Sequence, residues 1–559
     1  MNSIFGVEKF KKLLLAGTFA ALANYVLCCA DTVIAGNLIG SEALAGVNLA
    51  SPFIGMSTFL ACLVSVGVGT LYSTSMGRCD QHRAQCCFIQ GVWTILAIGG
   101  ALMFIALLGR DLFINFFNPS PEISVHARTY LAWISPLAVL EGLVFLLLTM
   151  SYADGDEVTA IIANAVLLLG NVGFSTLAVY LGYGCAGCAV GTVLALILTL
   201  GVLALHFLKS TNTLRFVHHF AWRDMLNIFR ASFGDAAASL CNALLFFFLN
   251  AFVARFFGSY LLPVVGVVTV LWGVLIVFDG IGNALQPVVT VYYAEGSYPA
   301  VRAVVRSAAK WCLLEGAITS MVAIGFADQI VQLVGITDPE LVPLAVSATR
   351  CAAIGFVFIP FAGLFNSYYM FIDKPYLAGA VTLFSYLIVP IALASVGALA
   401  GTVGLWVGLG LGTTMGLLSA FALIRPAVGK VAFPLLLPEI PEGKIRIFDL
   451  ALEDAEIAEV SRQVAAIRGV PMKAALMVEE VLEVVKERNA KRRILAEVTV
   501  NLTDGVKLTL RDDGEIFDIT DADARISSLR SFLVASMMER HIGKLNLITT
   551  GFNRNVFRF

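Results

Sequence analysis

Charge is scarce in this chain. Of 559 residues, 14% are Asp, Glu, Lys or Arg and 58% are hydrophobic. That balance excludes an ordinary water-soluble enzyme, in which about a quarter of the residues are charged. Two long stretches, Val158 to Leu205 and Pro375 to Ile424, hold no charged residue at all. Cysteine is missing from the C-terminal part: all eleven cysteines precede residue 352, most of them inside apolar runs. This excludes a disulfide framework. The first apolar run is not followed by a small-residue cleavage site, so no removable signal peptide is expected. At a net charge of −2, no nucleic-acid partner is expected.

The charge that exists is unevenly placed. Residues 440–559 hold 37 of the 76 charged side chains, so a membrane part is followed by a water-soluble part. The boundary falls in the proline-bearing stretch 431–445. Crossing the hydrocarbon takes about 20 apolar residues per helix. The two charge-free stretches each fit a pair of helices, broken near Gly182–Gly187 and Gly397–Gly401. Further runs start near Leu13, Ala43, Ile89, Tyr130, Ala231, Tyr260, Ser307 and Val342, giving about twelve transmembrane helices. Lys9, Lys11, Lys12, Arg215, Arg223, Arg230, Arg302, Arg306, Lys374 and Lys430 fall on one side of this arrangement. The excess of Lys and Arg on cytoplasmic loops then places both termini in the cytoplasm, with the chain multi-pass in a bacterial inner membrane.

The chain repeats itself. Asn24, Gly40 and Ser41 recur as Asn242, Gly258 and Ser259, and Gly184, Gly187 and Gly191 recur as Gly401, Gly404 and Gly408, at nearly constant separation. A six-helix unit has therefore been duplicated, giving parallel halves at 1–215 and 216–430. Such repeats place a binding site between the halves near the midplane, and alternating access makes a secondary transporter the default. Cys185 and Cys188 form a CxxC, but the glycines around them point instead to closely packed helices.

Several motifs resemble those of MATE multidrug and toxin extrusion transporters. They are Cys29-Ala-Asp31-Thr32-Val-Ile-Ala-Gly36, Glu42-Ala-Leu-Ala-Gly46 with Ser51-Pro52, Gly67-Val-Gly69 through Arg83-Ala84, and Gly282-Asn283-Ala-Leu-Gln286-Pro287 through Gly296. The resemblance covers nearly all of residues 1–430. It implies two six-helix lobes and efflux of an organic cation or amphiphilic small molecule, with proton or sodium as the coupling ion. No cofactor is required, and membrane lipids surround the chain.

Asp31 is the sole charge between Leu13 and Ser41. A carboxylate at that depth is a functional candidate by default, because its charged form is stable only when water or a cation reaches it. The alternative is an aspartate at a helix end. The resemblance assigns cation coupling to Asp31, supported by Asn24 and Asn171. It departs from proton-coupled relatives in helix 5, where a second carboxylate is expected near Phe174 and none is present. Asn48, Asn242, Asp279, Asn283 and Gln286 are candidates for the substrate cavity; each alone also serves as interhelical glue. Glu141 and Arg350 also fall within spans and are read as capping or pairing residues.

The tail, 446–559, reads as a small α+β domain. Helices are expected over Ala451–Ile467, Met472–Asn489 and Ala524–Glu539, strands over Ile494–Leu502 and Val506–Arg511 joined through Asp504-Gly505, and two strands close the chain. The segments Ala475-Leu-Met-Val-Glu479-Glu480, Asp512-Asp513-Gly514 and Gly551-Phe-Asn553 resemble the anti-sigma-factor branch of histidine-kinase-like ATPases. This implies an adenine nucleotide held by Asp512 and Gly514, with Glu480 nearby. The magnesium-holding Asn of that family is Val484 here, and Ser527–Lys544 has no glycine-rich run, so binding without hydrolysis is expected. The residues alone equally fit a polar turn in a domain that binds a cytosolic protein partner. A lipid-precursor flippase and a membrane ligand sensor are the alternatives to an exporter. A flippase would need more Lys and Arg within its spans.

Overall fold

Backbone amides in lipid find hydrogen-bond partners only inside a helix or a closed barrel, and the apolar runs accordingly fold as helices. The computed structural model describes residues 4–559 except 78–79, 154–155, 210–213, 218–219, 373, 429–443, 491–492, 504, 516–540 and 545–552. The first half forms α1 (Ile4–Leu38), α2 (Ser41–Leu49), α3 (Ser51–Gly77), α4 (Gln81–Thr94) and α5 (Gly100–Phe116). It continues as α6 (Pro121–Ile134), α7 (Leu137–Ala153), α8 (Glu157–Ala178) and α9 (Gly184–Ala204). The second half supplies α10 (Trp222–Phe256), α11 (Leu262–Trp272), α12 (Leu275–Ala294), α13 (Tyr298–Gly325) and α14 (Ala327–Val334). Then follow α15 (Leu341–Ala353), α16 (Ile359–Phe371), α17 (Pro375–Leu383), α18 (Val389–Gly397) and α19 (Thr402–Val428).

Among the described residues, eight helical stretches are long and apolar enough to cross a membrane, or ten if each of two bent pairs is one span. The protein is thus a mostly helical, multi-pass membrane protein. The run expected from Ala43 is split: α2 ends and α3 begins at Ser51-Pro52, because proline is tolerated in the first turn of a helix but breaks its interior. The duplication is visible in the backbone. Helices α1 and α10 are both 35 residues long. Gly40 and Gly258, each ending the turn after one of them, both take the left-handed φ that favours glycine, 136° and 101°.

The chain divides into two units, each with its own packing. The larger comprises Ala16–Gly282 and Trp311–Ala427; the smaller comprises Met1–Leu15, Asn283–Lys310 and Val428–Phe559. In the larger unit α10 lies along α3, α3 along α7, and α8 along α9. A fully buried amide pair, Asn48 Nδ2 donating to Asn250 Oδ1 at 2.9 Å, joins α2 to α10.

The smaller unit is organised by a five-stranded antiparallel sheet of order β1-β2-β3-β5-β4. Its strands are β1 (Ile445–Ala451), β2 (Leu495–Asn501), β3 (Lys507–Asp512), β4 (His541–Lys544) and β5 (Asn553–Arg558). Side chains alternate between its faces. Ala496, Val498, Val500, Leu508, Leu510 and Phe557 point to one face and share a core with helices α20 (Asp454–Ala465) and α21 (Met472–Arg488). Lys507, Thr509 and Arg511 of β3 and Glu497 and Thr499 of β2 occupy the other face. The helix expected from Ala451 starts instead at Asp454. Residues 445–451 pair with β2 over their full length, and this ladder outweighs the helix-forming residues that follow. The helix expected at 524–539 and Asp504 of the predicted hairpin lie outside the described residues.

The polar face of the sheet is covered by the turn between α12 and α13. Arg511, buried and contacting both Glu295 and Glu497, lies over the Tyr292 ring at 4.5 Å. Arg554 Nε donates to Glu295 Oε1 at 2.6 Å and Tyr292 OH to Glu497 Oε2 at 2.8 Å. Burial lowers the Arg511 guanidinium to about 10, so it stays charged at neutral pH. The first turns of α1 join the same unit: the Phe5 amide donates to Asp449 Oδ1 and Lys12 pairs with Asp513, each at 2.9 Å.

Candidate functional site

A carboxylate buried among helices needs donors close by, and Asp31 has three. Near the C-terminal end of α1, Asp31 is 9% exposed. Its Oδ2 accepts from Tyr130 OH of α6 and Thr192 Oγ1 of α9, both at 2.8 Å, and its Oδ1 from Ser175 Oγ of α8 at 3.3 Å. Asn171 Nδ2 donates to Thr192 Oγ1 at 2.7 Å. Among the described residues no cation pairs with Asp31. Each hydroxyl carries one proton, and those of Ser175 and Thr192 have a second acceptor, Cys188 O, at 3.0 and 3.2 Å. The geometry therefore offers each hydroxyl two acceptors. Each hydroxyl can donate either to the carboxylate or to Cys188 O, but not fully to both.

Glycine makes the cluster fit. A Cβ on Gly191 would collide with the backbone N of Ser175, so only glycine lets α9 bring Thr192 onto Asp31. This is the close packing expected around Cys185 and Cys188. Glu141 forms a second such site: Ser57 Oγ and Thr58 Oγ1 donate to it at 2.6 and 2.8 Å.

The other expected residues are scattered. Asn171 belongs to the Asp31 cluster, whereas the side chain of Asn24 lies outside the described residues. Asn48 faces Asn250 of a neighbouring helix and is fully buried. Here its amide joins two helices, the glue that is the alternative reading of such a residue. Asn242 is half-buried, its Oδ1 without a partner among the described residues, and Asp279 is exposed. The Tyr386 phenol stands within electrostatic reach of Asp279, Cys241 and Cys312. Gln286 is exposed, and the side chain of Asn283 lies outside the described residues. Arg350 pairs with Asp328 at 2.8 Å. Tyr130, Ser175 and Thr192 were not singled out from sequence. The Gly187–Gly191 spacing was the signal that could have located them.

In the tail, Asp512 is 2% exposed and its Oδ1 accepts from Asn553 Nδ2 at 2.8 Å and from the Gly514 amide at 3.0 Å. Val484 is packed in the core, and Glu480 is half-buried with Oε2 unpaired among the described residues. Burial pushes the Asp512 carboxyl up to about 6 despite those two donors. An unfolded aspartate titrates near 4. The folded tail therefore binds this proton more tightly, and the stability it confers is full below about pH 4 and lost as the pH rises to about 6. Relative to Asp512→Asn, the tail of the wild type is expected to lose up to about 3 kcal/mol between pH 4 and pH 7 in thermal melts. Parallel melting profiles for the two proteins would remove Asp512 as the source.

The MatE family model matches residues 18–177 and again residues 236–396, together more than half of the chain. No curated protein matches. Among solved structures, the chain is similar to an inward-facing multidrug resistance MATE family transporter of the MOP superfamily: TM-score 0.66, 20% identity, covering 72% of this chain and 94% of that one. An outward-facing transporter of the same description gives 0.61 and 19%, covering 76% and 96%. A MOP superfamily transporter from Pyrococcus furiosus, described by a reversed binding-pocket polarity that suggests a different function, gives 0.61 and 19% over the same shares.

Proposed function

The chain belongs to the MatE family, and from that premise we propose an antiporter that exports organic cations or amphiphilic drugs by alternating access, driven by inward proton or sodium flow. The observation that carries this reading is Asp31, held by hydroxyl donors from three other helices and facing no cation among the described residues. A proton or sodium ion arriving there neutralises the carboxylate, frees Ser175 and Thr192 to turn to Cys188 O, and loosens the join between α1 and α6, α8 and α9. Departure of the ion restores it. Asp279, on the second repeat, supplies negative charge that suits a cationic substrate. Twelve spans result if α1 is counted and Val158–Leu208 is divided at Gly182, where the helix breaks. Two lobes at 1–215 and 216–430, cytoplasmic termini and a bacterial inner membrane complete the proposal.

The test is uptake of ethidium into inverted vesicles under proton and sodium gradients imposed separately. Uptake driven by one gradient above a protein-free control is the expected result. Failure of both gradients would overturn the antiporter and direct attention to ligand sensing.

For the tail, the proposal is a regulatory domain that binds adenine nucleotide weakly through Asp512 and does not turn it over. Val484, buried where the related ATPases carry their magnesium-holding Asn, supports the lack of turnover. Wild type is expected to bind a fluorescent ATP analogue with millimolar-range affinity, and Asp512→Ala to lose it. Hydrolysis that Asp512→Ala abolishes would contradict the reading of Val484.

A further inference from the structure

The polar face of the tail sheet carries two cross-strand pairs of cations. Arg511 of β3 stands opposite Arg554 of β5, and four residues along the same strand Lys507 stands opposite Arg558. Like charges directly opposite one another destabilise a sheet unless an anion lies between them. The first pair has its anion: Glu295, from the α12–α13 turn, contacts both arginines, and Glu497 contacts Arg511. Among the described residues no carboxylate forms an ion pair with Lys507 or Arg558. Burial first, then Arg554 and Arg558, lower the Lys507 ammonium, a sign of positive charge left uncompensated. Glu295 and Glu497 are both engaged by the first pair, and Asp449, on the same face opposite Glu497, accepts from the Phe5 amide.

Beside the second pair lies a pocket of about 320 Å³ lined by Tyr293, Glu295, Tyr298, Thr503, Lys507 and Arg558 among others, at the lower end of the size range of small-molecule sites. The turn that forms one wall joins two candidate membrane spans, one ending at Tyr293 and the next starting at Tyr298. Tyrosines at span ends mark the level of lipid headgroups. Arginine and lysine are the usual partners of phosphate oxygens, and tyrosine hydroxyls add donors.

We propose that this pocket binds a phosphate-bearing anion between Lys507 and Arg558, the role that Glu295 plays for Arg511 and Arg554. The chemistry fits the headgroup of an anionic phospholipid and a soluble phosphate alike. Occupancy fastens the tail to the α12–α13 turn, so the ligand adjusts how firmly the smaller unit is closed. This site is separate from Asp512 and does not depend on the nucleotide reading.

The experiment uses the full-length protein purified in detergent, with inorganic phosphate in one arm and phosphatidylglycerol against phosphatidylcholine in the other. Thermal melting and native mass spectrometry are the readouts. Wild type is compared with the double variant Lys507→Gln/Arg558→Gln and with Arg468→Gln, an exposed residue away from the pocket. Wild type and Arg468→Gln are expected to melt higher with phosphate, with phosphatidylglycerol, or with both. The double variant is expected to bind at least about 10-fold more weakly, as befits the loss of two charge-assisted contacts. A response to phosphatidylglycerol alone identifies a lipid headgroup, and a response to phosphate alone a soluble ligand. The proposal is overturned if no probe binds, if the double variant binds as wild type does, or if without ligand the double variant melts below wild type. That last result would mean that the two charges serve the fold itself.

Discussion

Vesicles carrying Asp31→Asn are expected to show no gradient-driven dye uptake above background, while the variant is produced and folded like the wild type. Asparagine keeps the shape and one acceptor oxygen, so Tyr130, Ser175 and Thr192 retain part of their bonding. What it loses is the charge that a proton or sodium ion neutralises. Thr192→Val and Tyr130→Phe remove one donor each at 2.8 Å. A hydrogen bond to a charged group contributes about 1.5–3 kcal/mol, so each of these variants should slow uptake by roughly 10-fold or more without abolishing it. Size-exclusion profiles and melting curves separate these effects from unfolding. If Asp31→Asn still concentrates dye, coupling must be sought at Glu141, which two hydroxyls also hold, or at Asp279 of the second repeat.

Arg511→Ala should release the tail from the α12–α13 turn. Arg511 is buried between Glu295 and Glu497, and removing it leaves two carboxylates with one cation, Arg554, between them. Breaking a buried ion pair by deleting one partner costs about 3–5 kcal/mol. Hydrogen exchange of β2, β3 and residues 292–298 in the full-length protein should accelerate, and limited proteolysis of the tail should start earlier. Glu295→Gln, which keeps an acceptor but removes the charge, should fall between this variant and the wild type. Unchanged exchange at 292–298 in Arg511→Ala would show that other contacts hold the turn.

The sequence was legible where the signal was local or periodic. The duplication could be read from glycines alone, because Gly40 and Gly258 hold a backbone conformation that few other residues adopt. Asp31 was legible because a single charge in a long apolar run has few bland explanations. Its three donors were not, since serine, threonine and tyrosine recur throughout such spans and only the close approach at Gly191 selects among them. The partner of Asn48 was not legible either, because an asparagine facing a cavity and one facing another asparagine 202 residues away look alike in one dimension. Strand β1 was hidden by the helix-forming residues after it and by a partner strand some fifty residues further on. The Arg511–Glu295 pair spans 216 residues, and no local pattern can announce it.

The contact between the Phe5 amide and Asp449 closes a loop of 444 residues. At about 5–20 residues per second, synthesis of the intervening chain takes roughly 20–90 seconds. Throughout that time the first turns of α1, including Phe5 and Phe10, both buried in the finished fold, have no tail to join. The membrane helices are thus made before the domain that ties the start of the chain to its late strands exists. Assembly closes on itself last, and a ribosome that stalls before Asp449 leaves its product with the opening turns of α1 uncovered.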